Sequence, residues 1–182
     1  LYSKVNKIYA FEPNALNRHY LNRHLAFNEV KNIEVFDLLI GERNEENIKL
    51  YSPNDVSGLP SIVNFDLINK KSLFHKYSLH NQVSLDHFCN QKQAYPDLIK
   101  IDVEGAEFNI LRGATEVLSD IRPKIMLSLH PDHLKSLGED LDFIWEVCSK
   151  YNYNIIDSTT NSIIKYGSHL KLEEYCLFPS SK

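Results

Sequence analysis

A chain of 182 residues, 43% of them hydrophobic and 24% charged, has the composition of one globular domain with a sizeable core. The net charge of -4 argues against nucleic acid as a partner, because nucleic-acid-binding surfaces are usually basic. No apolar run reaches the length of a membrane span, so we expect no membrane partner. Three separated cysteines without a CxxC pair favour a reducing compartment, and we expect a cytoplasmic protein whose residues 1–182 form a single domain.

The N-terminal part of the chain predicts a strand followed by a helix. The β-rich run VNKIYAF (5–11) ends at Glu12-Pro13-Asn14. Asn14 is a good N-cap for a helix over 15–27, which carries apolar residues along one side. We therefore expect Glu12 to lie at the carboxyl end of a strand.

The next segments predict two strands, an irregular region and a corner. NIEVFDLLIGE (32–42) predicts a strand closed by a glycine, and IKLYS (48–52) predicts a strand that pairs back to it. Prolines and a glycine break any regular element within 53–80, and loops of this length often act as lids or binding elements. QVSLDHFC (82–89) predicts a strand or a strand-to-helix corner.

The second half of the chain alternates strands with helices. DLIKID (97–102) predicts a strand before a helix over 105–119, and KIMLSLH (124–130) predicts a strand before a helix, in one or two pieces, over 132–151. The short runs YNIIDST, SIIKYG and EYCLFP predict closing strands. This alternation predicts an α/β fold, with a mostly parallel sheet covered by helices on both faces and antiparallel strands at the C-terminal end. The residues expected to face inward from the helix over 105–119 are Phe108, Leu111, Ala114 and Leu118.

Two acidic residues are expected at strand ends, where open α/β sheets bind their ligands. These are Glu12 and Asp102. A carboxylate in such a place can accept hydrogen bonds from both hydroxyls of a ribose. Glu12 fits a simpler role equally well, because an acid near the start of a helix interacts favourably with the helix dipole.

The segment IDVEGAE (101–107) places three acids at the corner between a strand and a helix. Asp102 ends a strand expected to be buried, so its carboxylate needs a partner to offset desolvation. Glu104 shares the face of Asp102 if the strand continues. Glu107 lies in the first helical turn, where interaction with the helix dipole is a sufficient explanation. Asp102 and Glu104 are therefore the acids left for a site.

Two kinds of ligand would suit this pair of acids. A Mg²⁺ or Mn²⁺ ion could be bound by Asp102 and Glu104 with Asp86 or His130 nearby, but nothing else in the spacing requires a metal and we predict none. A cationic ligand would also offset the cost of burying the carboxylates. Asp86 is explained as well by capping a helix over 87–92, which we favour.

Two motifs carry a resemblance to a known family. The blocks AFEP (10–13) and IKIDVEGAE (99–107), with VSLDHF (83–88) between them, resemble the FkbM-type family of S-adenosylmethionine-dependent methyltransferases. The resemblance extends over about residues 5–130. It implies a Rossmann-like class I methyltransferase sheet with S-adenosylmethionine as cofactor.

The resemblance also implies roles for individual residues. The turn after the first strand would hold the ribose hydroxyls, the chain after the second strand would border the adenine, and the acidic corner would line the floor where cofactor meets acceptor. The cofactor-binding residues implied in this way are Glu12, Pro13, Asn14, Leu39, Ile40 and Asp102.

The sulfonium cation of S-adenosylmethionine is a cationic ligand of the kind that the acidic corner would suit. The rate of methyl transfer depends largely on how the two reacting molecules are positioned. An alcohol acceptor must also lose its proton as the new bond forms. Asp102 or Glu104 could act as the base or could only orient the hydroxyl. His130, at a strand end two residues after Ser128, is a candidate acceptor-site base or ligand, although a partly buried structural histidine fits equally well. The catalytic candidates are Asp102, Glu104 and His130.

From the resemblance we expect an acceptor hydroxyl on a sugar, glycan or secondary metabolite. The glycine-rich cofactor motif of the family, which precedes its AFEP block, does not occur in this sequence. We therefore expect the chain to lack the first strand and helix of the domain and to bind S-adenosylmethionine weakly or not at all. Two alternatives stay open: a dinucleotide-dependent oxidoreductase, which also places an acid on a ribose, and an inactive truncated copy that serves as an interaction domain.

Overall fold

The structure is a computed structural model that describes residues 6–52, 76–171 and 174–180. Within them the strands are β1 (Ile8–Phe11), β2 (Ile33–Phe36), β3 (Leu39–Gly41), β4 (Glu45–Ser52), β5 (Lys76–Ser84), β6 (Leu98–Asp102), β7 (Lys124–Ser128), β8 (Tyr153–Asp157) and β9 (Glu174–Pro179). The helices are α1 (Ala15–Phe27), α2 (Leu85–Lys92), α3 (Glu107–Arg112), α4 (Pro131–Ser136) and α5 (Phe143–Tyr151), with a π-helical segment at Val117–Ile121. None of these helices has the length and apolar character needed to cross a membrane.

The strands form three hydrogen-bonded sheets in the described residues. β1 and β2 pair in parallel, β3, β5 and β4 form a second sheet in that order, and β6, β7, β9 and β8 form the third. β6 and β7 are parallel, whereas β9 runs antiparallel to both β7 and β8. The predicted α/β fold with antiparallel strands at its C-terminal end is confirmed, but as three sheets rather than one continuous sheet.

Three predictions about the strands between residues 32 and 84 are wrong. Residues 32–42 form two strands, β2 and β3, which belong to different sheets. The chain is redirected between them at Asp37, whose carboxylate is held by Arg18 and His80. β4 pairs with β5 and not with the strand before it, and residues 76–80, predicted as loop, belong to β5. The remainder of that predicted loop, 53–75, lies outside the described residues.

The core surrounds the faces of β6, β7, β8 and β9 that pack against α3 and α5. All four side chains predicted to face inward from the helix after β6 are at most 2% exposed, and they meet Trp145 of α5 and Leu177 of β9 in one apolar cluster. Full burial of side chains of this size contributes about 1.5–3 kcal/mol each. The helical pattern is therefore confirmed, although α3 ends at Arg112 and the segment resumes with π-helical geometry.

The early end of α3 reflects a close approach between backbones. A Cβ placed on Gly113 would lie 2.0 Å from the carbonyl oxygen of Gly41 in β3. Asp86 stabilises the segment that follows, because its carboxylate accepts hydrogen bonds from the backbone N–H groups of Glu116 and Val117. The prediction that Asp86 caps a helix over 87–92 is wrong, because Ser84 is the N-cap of α2 and Asp86 instead accepts hydrogen bonds at the start of the π-helical segment.

The β1–β2 pair is attached to the rest of the protein by an aromatic cluster. Phe88 of α2 is 3% exposed, and its ring lies 4.7–5.3 Å from the ring centroids of Tyr9, Phe11 and Phe36. α1, by contrast, contains no buried residue, although its predicted bounds and its N-cap at Asn14 are confirmed.

One face of β6 is exposed. Leu98, Lys100 and Asp102 point to this face and are exposed, whereas Ile101 is buried on the other. Helices on both faces of the sheet were predicted, but the described residues do not cover this face of β6.

Candidate active site at the carboxyl ends of β6 and β7

The parallel pairing of β6 and β7 brings two conspicuous segments of the sequence to one edge. Asp102 and Ser128, the last residues of the two strands, are register partners. The segments that leave this edge carry Glu104 after β6 and His130 after β7. The sequence-predicted candidates Glu104 and His130 are thereby brought together.

Glu107 is the third member of this group and was misjudged from the sequence. Its side chain is 0% exposed, and its Oε1 lies 2.6 Å from Nδ1 of His130. Its second oxygen, Oε2, is enclosed without a hydrogen bond of good geometry among the described residues. Dipole capping is therefore an insufficient explanation, because the carboxyl points into the protein.

Burial controls the protonation of Glu107. Desolvation raises the pKa of its carboxyl above the usual range, while neighbouring backbone N–H groups and His130 offset part of that effect. The short contact with His130 compensates an otherwise costly buried acid.

Glu104 closes the group on its outer side. Its Oε2 lies 2.9 Å from Nδ1 of His133 in α4, and its Oε1 lies 3.7 Å from Nε2 of His130. The two imidazole rings are nearly parallel, with centroids 5.8 Å apart and an interplanar angle of 13°. Two carboxylates and two histidines thus alternate around one small cluster, of which His133 was not recognised in the sequence.

Gly105 explains how Glu104 reaches α4. Its φ of +93° is rarely adopted by other residues, and a Cβ there would lie 3.1 Å from Cβ of His133. The strand ends at Asp102, as predicted, and the chain then turns sharply, so the continuation on which a shared face of Glu104 and Asp102 depended does not occur.

Asp102 has an environment opposite to the predicted one. Its side chain is 47% exposed and its Oδ2 lies 2.8 Å from Nζ of Lys100 on the same strand. Because this face of β6 is open, the carboxylate remains solvated. The premise that Asp102 is buried and demands a cationic ligand is wrong, and its predicted role in binding or catalysis stays a prediction.

Glu12 lies directly after β1, as predicted. Its Oε1 accepts a hydrogen bond of 2.8 Å from the backbone N–H of Asn14, and Nδ2 of Asn17 is a distant donor to Oε2 at 3.5 Å. Asn14 in turn accepts from the N–H groups of residues 16 and 17 at the start of α1. Glu12 therefore shapes the start of the helix and keeps an oxygen with capacity for a further donor.

A chain of polar contacts that the sequence did not reveal secures this turn. Arg18 donates to the carbonyls of Glu12 and Pro13 and pairs with Asp37 at 2.8 Å. Asp37 also lies 3.2 Å from Nδ1 of His80. Charge pairs at i, i+4 spacing would have been a signal, but these partners are up to 43 positions apart.

The remaining candidates are less closely connected. Leu39 and Ile40 lie half-buried in β3, in a different sheet from Glu12. No strand pairing among the described residues links β1 to β6, so the predicted convergence of Glu12 and Asp102 on one ligand stays a prediction. Within the same residues, no group of three or more acidic, histidine or cysteine side chains is arranged to hold a metal ion.

Parallel strands that end in a glutamate turn and in a carboxylate–histidine cluster define an α/β fold with polar side chains gathered at its strand ends. The sequence profile of the Methyltransferase FkbM domain matches residues 2–155, and the chain belongs to this family. The predicted resemblance is thus confirmed.

Among solved structures, the fold is similar to a crystal structure of methyltransferase FkbM from Methylobacillus flagellatus KT. The TM-score is 0.55 at 19% identity, over 95% of this chain and 36% of that chain. This likeness supports the mixed α/β fold, and the chain spans little more than a third of that protein's length. No curated protein matches the chain.

Proposed function

We propose that this chain forms part of an S-adenosylmethionine-dependent methyltransferase that methylates a hydroxyl group of a sugar, glycan or secondary metabolite. The observation that carries the proposal is membership of the FkbM methyltransferase family over a range that includes both the Glu12 turn and the acidic corner. Family membership favours methyl transfer over the hydride-transfer alternative.

The Glu12 turn fits the nucleoside part of the cofactor. Oε1 is engaged by the N–H of Asn14, whereas Oε2 has only the 3.5 Å contact with Asn17 and can accept from a ribose hydroxyl. Arg18 fixes the carbonyls on either side of the turn, so the carboxylate is held in place before a ligand arrives. Pro13 and Asn14 contribute the shape of the turn.

The corner after β6 fits the reacting part of the site. When bound, S-adenosylmethionine supplies a methyl group on a positively charged sulfur that leaves as a neutral thioether. Asp102 and Glu104 would place negative charge at this end of the sheet, and Leu39 and Ile40 would offer apolar surface to the adenine.

The test is a comparison of cofactor binding in wild-type protein and in Glu12→Gln, measured by calorimetry with S-adenosylmethionine and its demethylated product. The glutamine keeps a carbonyl oxygen for Asn14 but presents an amide N–H₂ where the ribose needs an acceptor. Loss of hydrogen bonds to a charged group costs about 1.5–3 kcal/mol, so we expect the Kd to rise about 10–150-fold.

The matched control is Glu46→Ala, which removes an exposed carboxylate on β4. It should leave both the Kd and the melting temperature unchanged. Binding by wild type that is unaffected in Glu12→Gln would contradict the assigned role of Glu12. Weak binding by wild type is expected, because the glycine-rich motif does not occur in this sequence, so the titrations extend to high ligand concentration. Absence of both binding and methyl transfer by wild type would favour the interaction-domain alternative.

A further inference from the structure

Glu107 is a buried acid whose position serves no evident structural purpose. Among the described residues, Glu107 is the charged side chain that is fully buried. One of its oxygens, Oε2, lacks a well-formed hydrogen bond there. A glutamine of the same shape would avoid the desolvation of a carboxylate. The retained charge therefore points to its partner, His130.

The contact between Glu107 and His130 determines which nitrogen of the imidazole ring carries the proton. Oε1 of Glu107 lies 2.6 Å from Nδ1 of His130, whose side chain is 16% exposed. A carboxylate in this position holds the ring and requires the proton on Nδ1, which leaves the lone pair of Nε2 facing outward. Nε2 lies 3.7 Å from Oε1 of Glu104, and a hydroxyl group that approaches this rim can donate its one proton to Nε2.

We propose that His130 is the general base that removes the proton of the acceptor hydroxyl, and that Glu107 is the positioning residue that holds its ring. This inference rests on the proposed methyl transfer. Among the sequence-derived candidates it selects His130 as base. Glu104 cannot share the hydroxyl proton, because an ionised carboxylate only accepts, and it acts instead on the charge that the ring acquires.

The step balances without a further reactant. The acceptor oxygen forms its bond to the methyl carbon, the carbon–sulfur bond breaks with its electron pair left on sulfur, and the hydroxyl proton moves to Nε2. The imidazolium that results lies between the carboxylates of Glu107 and Glu104, which stabilise its charge.

Three charged or titratable groups face His130: Glu107 from α3, Glu104 from the turn after β6, and His133 from α4. Glu104 is shared, because its other oxygen contacts His133 at 2.9 Å. The contact with His133 holds Glu104 at the outer side of the cluster. The shorter carboxylate contact of His130 is therefore the one with Glu107.

The first test determines the position of the ring proton by ¹⁵N nuclear magnetic resonance on histidine-labelled protein, with the signals assigned from the spectrum of His130→Ala. We expect the proton on Nδ1 and a bare Nε2 in wild type, and loss of this fixed tautomer in Glu107→Gln. A proton on Nε2 in wild type would overturn the proposal, because Glu107 would then be the donor and His130 could not accept.

The second test measures methyl transfer from labelled S-adenosylmethionine to a panel of methyl glycosides. We expect kcat to fall at least about 100-fold in His130→Ala and about 10–100-fold in Glu107→Gln, with the KM for the cofactor within about 3-fold of wild type. Added imidazole should restore part of the activity of His130→Ala. The rate of wild type, but not of His130→Ala, should fall on acidification.

His87→Ala is the matched control, since His87 is an exposed histidine of α2. Retention of more than a third of wild-type kcat by His130→Ala, or an equal loss in His87→Ala, would overturn the base role. Glu107→Gln should melt at or above the wild-type temperature, because it removes a buried charge. If wild type neither binds S-adenosylmethionine at high concentration nor transfers its methyl group, the proposed function fails and the base role fails with it. An Nε2-protonated ring in a protein that transfers methyl groups refutes the base role alone.

Discussion

Replacement of Gly113 by alanine tests how α3 is seated on β3. A Cβ at this position would lie 2.0 Å from the carbonyl oxygen of Gly41, 3.0 Å from its carbonyl carbon and 3.1 Å from Cα of Glu42. All three atoms belong to backbone, so no side-chain rotation relieves the clash. Gly113 has an ordinary φ of -84°, and the requirement for glycine is therefore one of space.

The magnitude follows from the displacement that the methyl group forces. A comfortable separation between such atoms is roughly 3.5 Å, so the helix must move by roughly 1.5 Å. Overpacking typically costs about 1–3 kcal/mol, and a clash against fixed backbone belongs at the upper end. For a domain of this size about 3 kcal/mol lowers the melting temperature by about 6–12 °C.

Thermal and urea unfolding of wild type, Gly113→Ala and Gly41→Ala would measure this effect. Gly41 is the matched control from the other side of the same contact, because its added Cβ would meet only the terminal amide of Gln82, at 2.4 Å, and this amide can rotate away. We expect Gly41→Ala to lose about 1 kcal/mol or less. A Gly113→Ala protein that melts within about 2 °C of wild type would refute the reasoning.

Two further predictions concern charges and thiols. The bidentate pair of Arg112 with Glu139, at 2.7 and 2.6 Å, lowers the pKa of Glu139 below its ordinary 4.5. The pair contributes about 1 kcal/mol to the free energy of unfolding at this partial exposure. This contribution is present above pH 4.5 and is lost as the pH falls through the lowered pKa. Urea unfolding should therefore show that the difference in stability between wild type and Glu139→Gln decreases on acidification. Burial raises the pKa of Cys89 to about 11 and that of Cys148 to about 12, so mass-spectrometric mapping after alkylation at about pH 8 should find the half-buried Cys176 modified first, and equal rates would contradict this.

Local patterns in the sequence were sufficient for much of the fold. The Asn14 cap, the helix that follows it and the inward face of α3 depend on residues within one or two turns of each other, and all are confirmed. The strand pairings of β3, β4 and β5 were not predicted correctly, because their register partners are 24 to 43 positions apart and no short-range signal connects them.

In the candidate site, too, local features could be predicted from the sequence and long-range contacts could not. Alternation along β6 separates Lys100 and Asp102 from Ile101, but it does not tell which face the rest of the protein covers. The sequence predicted burial for Asp102 and only a helix-dipole role for Glu107, whereas the structure exposes the first side chain and buries the second. The partnership of Glu107 with His130 depends on tertiary packing across 23 positions and could not be read from spacing.

The packing of Phe88 among Tyr9, Phe11 and Phe36 couples two equilibria. One is the docking of the β1–β2 pair on α2, and the other is the binding of a ligand at the Glu12 turn. Withdrawal of this ring from the three others would detach the β1–β2 pair, and with it the Glu12 turn, from α2. A cofactor bound by both the Glu12 turn and the corner after β6, as proposed, would require the docked arrangement, so its apparent dissociation constant would rise in inverse proportion to the docked fraction. The ligand affinity measured at the Glu12 turn would therefore also report the free energy with which Phe88 of α2 docks against the β1–β2 pair.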